Sequence, residues 1–172
     1  DQDRSLDGYI DAAGDGQDTI YYLTAESPVS AKNSPHLESL REHGIEVLLL
    51  SDRIDEWVMQ HLTEFKGKVF KDITRGDFSL GDREVSEKVE AEITKEQKQA
   101  LKRVKRVLRE RVDEVRMSDR LKESPVCLVL GEQDLGYQMR ELLKATGHDA
   151  PEIAPSLELN PNHPLVQRLV RE

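Results

Sequence analysis

The fold is decided by one stretch, Gly44–Phe65, which reads GIEVLLLSDRIDEWVMQHLTEF. Its first part, Ile45–Leu50, is apolar except for Glu46, and such a run is typical of a parallel strand that is covered on both faces. Ser51 or Asp52 then offers a side-chain oxygen to the free N–H groups at the start of a helix. The stretch therefore predicts a strand joined directly to a helix.

The predicted helix, Asp52–Glu64, has one apolar face, because its apolar residues recur at intervals of three and four. These residues are Ile54, Trp57, Val58, His61, Leu62 and Phe65. Trp57 lies at the edge of that face, beside Glu56 and Gln60. The default interpretation is a core tryptophan, and the alternative is a contact patch that reaches solvent.

Composition excludes several classes of protein. The 172 residues carry a net charge of −9, with 34% charged and 37% hydrophobic residues, which disfavours a generally basic nucleic-acid-binding protein. The single cysteine, Cys127, excludes an intrachain disulfide and is typical of a reducing compartment, so we expect a cytoplasmic location. No apolar run reaches the roughly 18 residues that a membrane helix needs. The chain starts at Asp1 without an initiator methionine, and we expect a fragment.

The first 75 residues are predicted to form a small α/β layer of βαβ type. Thr19–Ala25 is rich in β-branched and aromatic residues and predicts a strand. Ser27–Gly44 is helical in outline, with Ser34 as its cap and Pro35 at the first helical position. A short strand at Val69–Ile73 extends the layer.

The rest of the chain indicates a second domain of α+β type. Arg75–Asp82, RGDFSLGD, breaks all periodicity and predicts the domain boundary. The expected parts are an α/β layer over residues 1–75, a linker and connecting helix over 76–93, and an α+β domain over 94–172. Further helices are predicted at Val85–Glu92, at Asp134–Thr146 (closed by Gly147) and after Asn162. Strands are predicted at Val115–Leu121, Pro125–Leu130 and Ser156–Leu159.

A very basic helix opens the predicted second domain, where Thr94 and Gln97 form a capping box. Its cations are Lys95, Lys98, Lys102, Arg103, Lys105, Arg106 and Arg109. Such a helix can attract phosphates or an acidic partner at low salt. No aromatic residue for base stacking lies among the cations, and four glutamates between Glu84 and Glu92 partly neutralise them. We therefore favour a solvated face, with binding of nucleic acid or an acidic partner as the alternative.

No catalytic or metal-binding constellation is complete. The loop GEQDLG follows a strand as a phosphate loop does, but Tyr137 and Gln138 stand where Lys and Ser or Thr are required, and Glu132 and Asp134 would repel a phosphate. The histidines lack the spacing of a zinc-binding helix, and no G-x-S-x-G occurs. We expect neither a metal nor a catalytic site.

The predicted helix after Asp134 carries an apolar stripe at positions i, i+4, i+7 and i+8. The stripe consists of Leu135, Met139, Leu142 and Leu143. Such a stripe is core by default, although methionine adapts its shape and recurs on surfaces that bind many partners. Composition and spacing alone thus predict a two-part α/β protein that acts as a binding module.

Three segments, in this order, resemble the bacterial form of the ninety-kilodalton heat-shock chaperone family, HtpG. They are SPHLESLREHGIEVLLLSDRIDEWVMQHLTEFKGK, ERVDEVRMSDRL and LELNPNHPLVQRL. The resemblance covers almost the whole chain from Thr19 onward and is weakest between Arg75 and Lys95. It implies the end of the middle domain joined to part of the C-terminal domain, truncated before the dimerisation helices.

The family consists of ATP-driven homodimeric chaperones. The resemblance therefore implies partly folded client proteins as partners, a homodimer in the full-length protein and co-chaperones, without nucleic acid or membrane. ATP with Mg would bind to an N-terminal domain outside this chain, so the chain itself is expected to hold no cofactor and to be no enzyme.

The resemblance assigns client contact to two places. The first comprises Glu56, Trp57 and Gln60, and the second comprises Leu135, Met139, Leu142 and Leu143. The family more often has Asn at the position of Gln60, Met at Leu135 and Phe at Leu143. The alternative hypothesis is a structural and coupling segment whose apolar stripes are all core.

Overall fold

The computed structural model describes residues 5–13, 17–76 and 93–172. The fold is α/β, as the sequence predicts. In chain order the elements are α1 (Leu6–Ala13), β1 (Thr19–Thr24), α2 (Pro28–Lys32), a 3₁₀ turn (Pro35–Leu37), α3 (Glu38–Glu42), β2 (Leu48–Leu50), α4 (Asp55–His61), β3 (Glu64–Phe65), β4 (Lys68–Asp72), α5 (Lys95–Leu108), a 3₁₀ turn (Arg109–Arg111), β5 (Val115–Met117), β6 (Val126–Val129), α6 (Tyr137–Ala145), β7 (Ser156–Leu159) and α7 (Pro164–Arg171). The predicted helix Val85–Glu92 lies outside the described residues.

Contacts divide the chain into two compact units. The first comprises Asp1–Ile73 with Leu135–Pro151, and the second comprises Thr74–Asp134 with Glu152–Glu172. Helix α6, which the sequence analysis assigns to the C-terminal domain, therefore belongs by its contacts to the same unit as α4. This grouping brings the two predicted client-contact regions into one unit.

The sheet of the first unit has the strand order β2-β1-β4-β3 within the described residues. Strand β1 pairs in parallel with β2 and β4, which confirms the predicted parallel sheet. Buried Ile20 and Leu23 lie on this inner strand. Strand β2 is at the edge and Leu48–Leu50 is only partly buried, so the expectation of a strand covered on both faces is wrong. Strand β3 returns antiparallel to β4 through a two-residue turn with positive φ at both positions, as tight hairpins require.

The predicted helix over Ser27–Gly44 is broken into three short pieces. Pro35 lacks a backbone N–H and restricts the residue before it, so Ser34 is extended and α2 ends at Lys32. Ser27, and not Ser34, forms the cap that was expected: its Oγ accepts a hydrogen bond from the Ser30 N–H at 3.1 Å. The carboxyl end agrees with the prediction, because Gly44 follows α3 with φ of +68°.

The sheet of the second unit has the order β5-β7-β6, with β7 parallel to β5 and antiparallel to β6. Helices α5 and α7 pack together, and residues of both join its apolar core. The core comprises Val112, Val115, Met117, Leu159 and Val166, with Leu101, Val104 and Leu108 of α5 against it. The predicted capping box is present, since Thr94 Oγ1 accepts from the Gln97 N–H at 3.2 Å and Gln97 Oε1 from the Thr94 N–H at 2.8 Å.

A buried carboxylate, Glu158 on β7, holds together the polar centre of the second unit. Arg116 and Arg120 contact its two oxygens at 2.7 and 2.9 Å, and the Ser118 hydroxyl donates to it at 2.5 Å. Arg120 and Glu158 are each only 3% exposed. Because a buried charge is costly without its partner, this group depends on each member being present.

We expect Arg120→Ala to lower the free energy of unfolding by about 3–5 kcal/mol, because it leaves the Glu158 carboxylate buried with less compensation. The matched control is Arg168→Ala, whose side chain is 79% exposed in an ion pair with Glu172. Arg168→Ala should lower the free energy of unfolding by at most about 1 kcal/mol. Urea denaturation measures both variants, and equal losses would contradict the role given to the buried pair.

Candidate functional site

Helix α4 presents its apolar residues to solvent. Ile54 is 67% exposed, Trp57 55% and Val58 37%. The indole of Trp57 meets the ring of His61 edge-on, with the ring centroids 5.0 Å apart. These residues lie on one face, as their spacing in the sequence predicts. The default interpretation of Trp57 as a core residue is wrong, because no part of the described chain buries that face.

The side of α4 that is buried is polar. Glu56 is only 4% exposed, and its carboxylate accepts hydrogen bonds from the backbone N–H groups of Gly136 at 2.5 Å and Met139 at 2.9 Å. These N–H groups lie at the start of α6, where a helix has no internal acceptors for them. Gly136 has no side chain with which to cap the helix, so Glu56 supplies the missing acceptor and a favourable negative charge.

The local start of α4 differs from the prediction. Neither Ser51 nor Asp52 caps the helix with its side chain, and the cap position falls on Ile54. Instead, the Asp55 carboxylate accepts a hydrogen bond from the Asp52 N–H at 2.8 Å. The helix therefore starts at Asp55, later than predicted, and Glu56 lies in its first turn.

Two further features fix α6. The Gln138 side-chain amide donates to the Ala25 carbonyl oxygen at 2.8 Å, which ties the helix to the residue that follows β1. At the other end, Gly147 adopts a φ of +76°, and the His148 N–H donates to the Leu143 carbonyl oxygen at 2.9 Å. This is the glycine termination that the sequence predicts, and it closes the helix after Ala145.

The apolar stripe of α6 is only partly covered. Leu142 is 51% exposed, and Leu135, Met139 and Leu143 are of intermediate exposure. Gln60 on α4 is also exposed. Of the residues predicted to contact clients, only Glu56 is buried, so its direct contact with a partner is disfavoured by its position. Client contact by the other six remains a prediction.

The described part of the chain was expected to hold no metal, and its titratable side chains bear on that expectation. No group of three or more His, Cys, Asp or Glu side chains there could hold a metal ion. A cavity of about 330 Å³ lies at the carboxyl end of β1, and its lining includes Glu26, Ser30, Glu56 and Gln138. Among the described helices, none is long and apolar enough to cross a membrane. The arrangement is suited to contact with apolar surface.

A comparison with known families decides the identity at the family level. The Hsp90 protein family matches residues 1–172, the whole chain. The chain belongs to the Hsp90 family. This confirms the family-level resemblance carried by the three segments, and an Hsp90 chain is a heat-shock chaperone. The bacterial subgroup and the position within the full-length protein remain predictions.

Two properties of this Hsp90 site were missed from sequence. Ile54 and Val58 are exposed together with Trp57, and their spacing on the helix could have indicated this once the tryptophan was taken as exposed. The capping role of Glu56 has no local signal, because its partner Gly136 is 80 residues away in the chain.

Replacing Glu56 by alanine should loosen the start of α6. A hydrogen bond to a charged group contributes about 1.5–3 kcal/mol, so the amides of Gly136 and Met139 should exchange their hydrogens about tenfold faster or more. The control is Glu141→Ala on the same helix, because Glu141 is 48% exposed and pairs with Lys144. Hydrogen exchange followed by NMR measures this, and unchanged exchange in Glu56→Ala would disprove the cap.

Trp57 is the only tryptophan of the chain, so its fluorescence reports on this face alone. We expect an emission maximum close to that of free tryptophan and ready quenching by acrylamide, because more than half of the side chain is exposed. A strongly blue-shifted, poorly quenched emission would show that the indole is covered in solution.

Proposed function

We propose that this chain is a client-binding and interdomain-coupling segment of the bacterial Hsp90 chaperone, HtpG. It would comprise the end of the middle domain and part of the C-terminal domain. The observation that carries the proposal is the exposed apolar face of α4, which includes Trp57, in the same unit as the partly exposed stripe of α6. Family membership supports the chaperone role.

The exposed side chains would bind partly folded proteins by burial of apolar surface. Each square ångström of apolar surface that contact removes from water contributes roughly 25 cal/mol, whatever the sequence of the partner. Charged residues border the apolar ones: Asp52 and Arg53 precede the α4 face, and Glu141 and Lys144 flank Leu142. A few apolar side chains bordered by charge favour weak binding of many clients.

The predicted site residues would have different roles. Trp57 and Leu142 are the exposed contacts, with Gln60 at the border and Leu135, Met139 and Leu143 reachable in part. Glu56 would act indirectly, since its carboxylate is committed to the start of α6. It is therefore a positioning residue that keeps the stripe of α6 beside α4.

In the full-length protein, ATP with Mg would bind to a nucleotide domain outside this chain, and the chain itself would not hydrolyse ATP. The full-length protein would work in the cytoplasm as a homodimer, with clients and co-chaperones as its partners. The second candidate function is a purely structural and coupling segment. It requires buried stripes, whereas Trp57 and Leu142 are each more than half exposed.

The client-binding proposal predicts that Trp57→Ala and Leu142→Ala weaken binding of a permanently unfolded protein of neutral net charge, by about threefold to tenfold each. Truncation of an exposed leucine to alanine removes roughly 1 kcal/mol of binding free energy. Both variants should keep their stability within about 1 kcal/mol, because neither side chain is buried. Fluorescence anisotropy of the labelled client measures the affinity.

The chain offers a matched control in Leu165→Ala, since Leu165 is 63% exposed on a different helix, α7. The same truncation there should leave the affinity unchanged. Equal weakening by Leu142→Ala and Leu165→Ala would indicate unspecific adhesion. Unchanged binding by both Trp57→Ala and Leu142→Ala would favour the structural alternative.

A further inference from the structure

Helix α5 carries a row of cations that the proposed client surface does not use. Its exposed members Lys95, Lys98, Lys102 and Arg106 are three or four residues apart. At 100° per residue they fall within an arc of roughly 80°, and at 1.5 Å per residue they extend over about 16 Å. The core residues of the helix, such as Ala100 and Val104, lie on the opposite side. We call these four side chains the cationic row.

The cationic row has no internal counter-charge in the part of the chain that the structure describes. None of its four side chains forms an ion pair there. Some exposed cations elsewhere do pair: Lys66 with Asp7, Lys144 with Glu141 and Arg168 with Glu172. The chain as a whole has a net charge of −9, so an unpaired row of one sign contrasts with the rest of the protein.

The other cations of α5 have structural roles that explain them. Arg103 donates to the Leu169 carbonyl oxygen at 2.8 Å, which ties α5 to α7. Lys105 donates to the carbonyl oxygens of Val112 and Asp113 at 2.5 and 2.7 Å, just beyond the end of the helix. Within the described residues, no such contact accounts for the cationic row. Like charges three and four residues apart destabilise a helix, so an external anion would relieve their repulsion.

We propose that the cationic row binds an acidic segment of a partner polypeptide. In an extended chain, acidic side chains at alternate positions lie on one side about 6.6 Å apart, close to the spacing of the row and within reach of its long side chains. A nucleic acid fits less well. The row includes no aromatic side chain on which bases could stack, and the negative protein would repel a long polyanion.

The test uses the complete chain and a labelled peptide of twelve residues in which Glu and Ser alternate. Fluorescence anisotropy should show binding at 10 mM salt that weakens strongly at 150 mM, where the screening length falls from about 30 Å to about 8 Å. Replacing the glutamates by glutamine should abolish binding. A twelve-nucleotide single strand should bind more weakly than the acidic peptide.

The triple variant Lys98→Gln, Lys102→Gln, Arg106→Gln should have an affinity for the peptide that is lower by a factor of about ten or more. Each exposed ion pair contributes a factor of a few to the affinity, and the variant removes three of them. The control variant Lys32→Gln, Arg53→Gln, Lys144→Gln removes the same charge from other exposed positions and should change the affinity less than twofold. Circular dichroism should show both variants folded.

Three results would overturn the proposal: no binding at 10 mM salt, equal weakening in both triple variants, or tighter binding of the nucleotide strand than of the peptide. The last would assign the row to nucleic acid. The proposal does not depend on the client surface, and Trp57→Ala should leave binding of the peptide unchanged.

Discussion

The placement of α6 beside α4 in the first unit depends on a buried contact between the Glu56 carboxylate and the start of α6. A helix of nine residues is marginally stable by itself. Its first N–H groups have no acceptors within the helix, and ordering its backbone costs conformational entropy. Glu56 satisfies two of those groups and sets a negative charge against the positive end of the helix. The partly exposed stripe of α6 is held beside α4 by this contact.

The same contact explains why the apolar face of α4 is exposed. Successive residues of a helix differ in direction by about 100°, so a helix that turns Glu56 inward must turn Ile54 and Val58, at roughly 200°, to the opposite side. A buried carboxylate that accepts two backbone hydrogen bonds therefore outweighs the hydrophobic pattern of α4. The apolar face becomes surface, which is the arrangement that a protein-binding helix needs and a purely structural helix avoids.

Sequence predicted what is local and missed what is distant. The capping box at Thr94, the strand Ser156–Leu159 and the termination at Gly147 are each encoded within a few residues, and all are present. The exposure of the apolar face of α4 could not be predicted, because periodicity identifies an apolar face but does not show whether other residues cover it. The acceptor for the start of α6 is Glu56, and no rule based on neighbouring residues connects positions so far apart.

The second unit shows how a chain of this composition supports charged surface without losing its core. The Glu158 carboxylate is buried and contacted by both Arg116 and Arg120, so these ion pairs stabilise the sheet from inside the unit. The cationic row is the reverse case, since its side chains are exposed and form no ion pair within the described residues. The two proposed surfaces thus differ in chemistry, since one would bind apolar segments of a partner and the other acidic segments. The two proposed surfaces would each bind weakly, so each contact alone remains easily released.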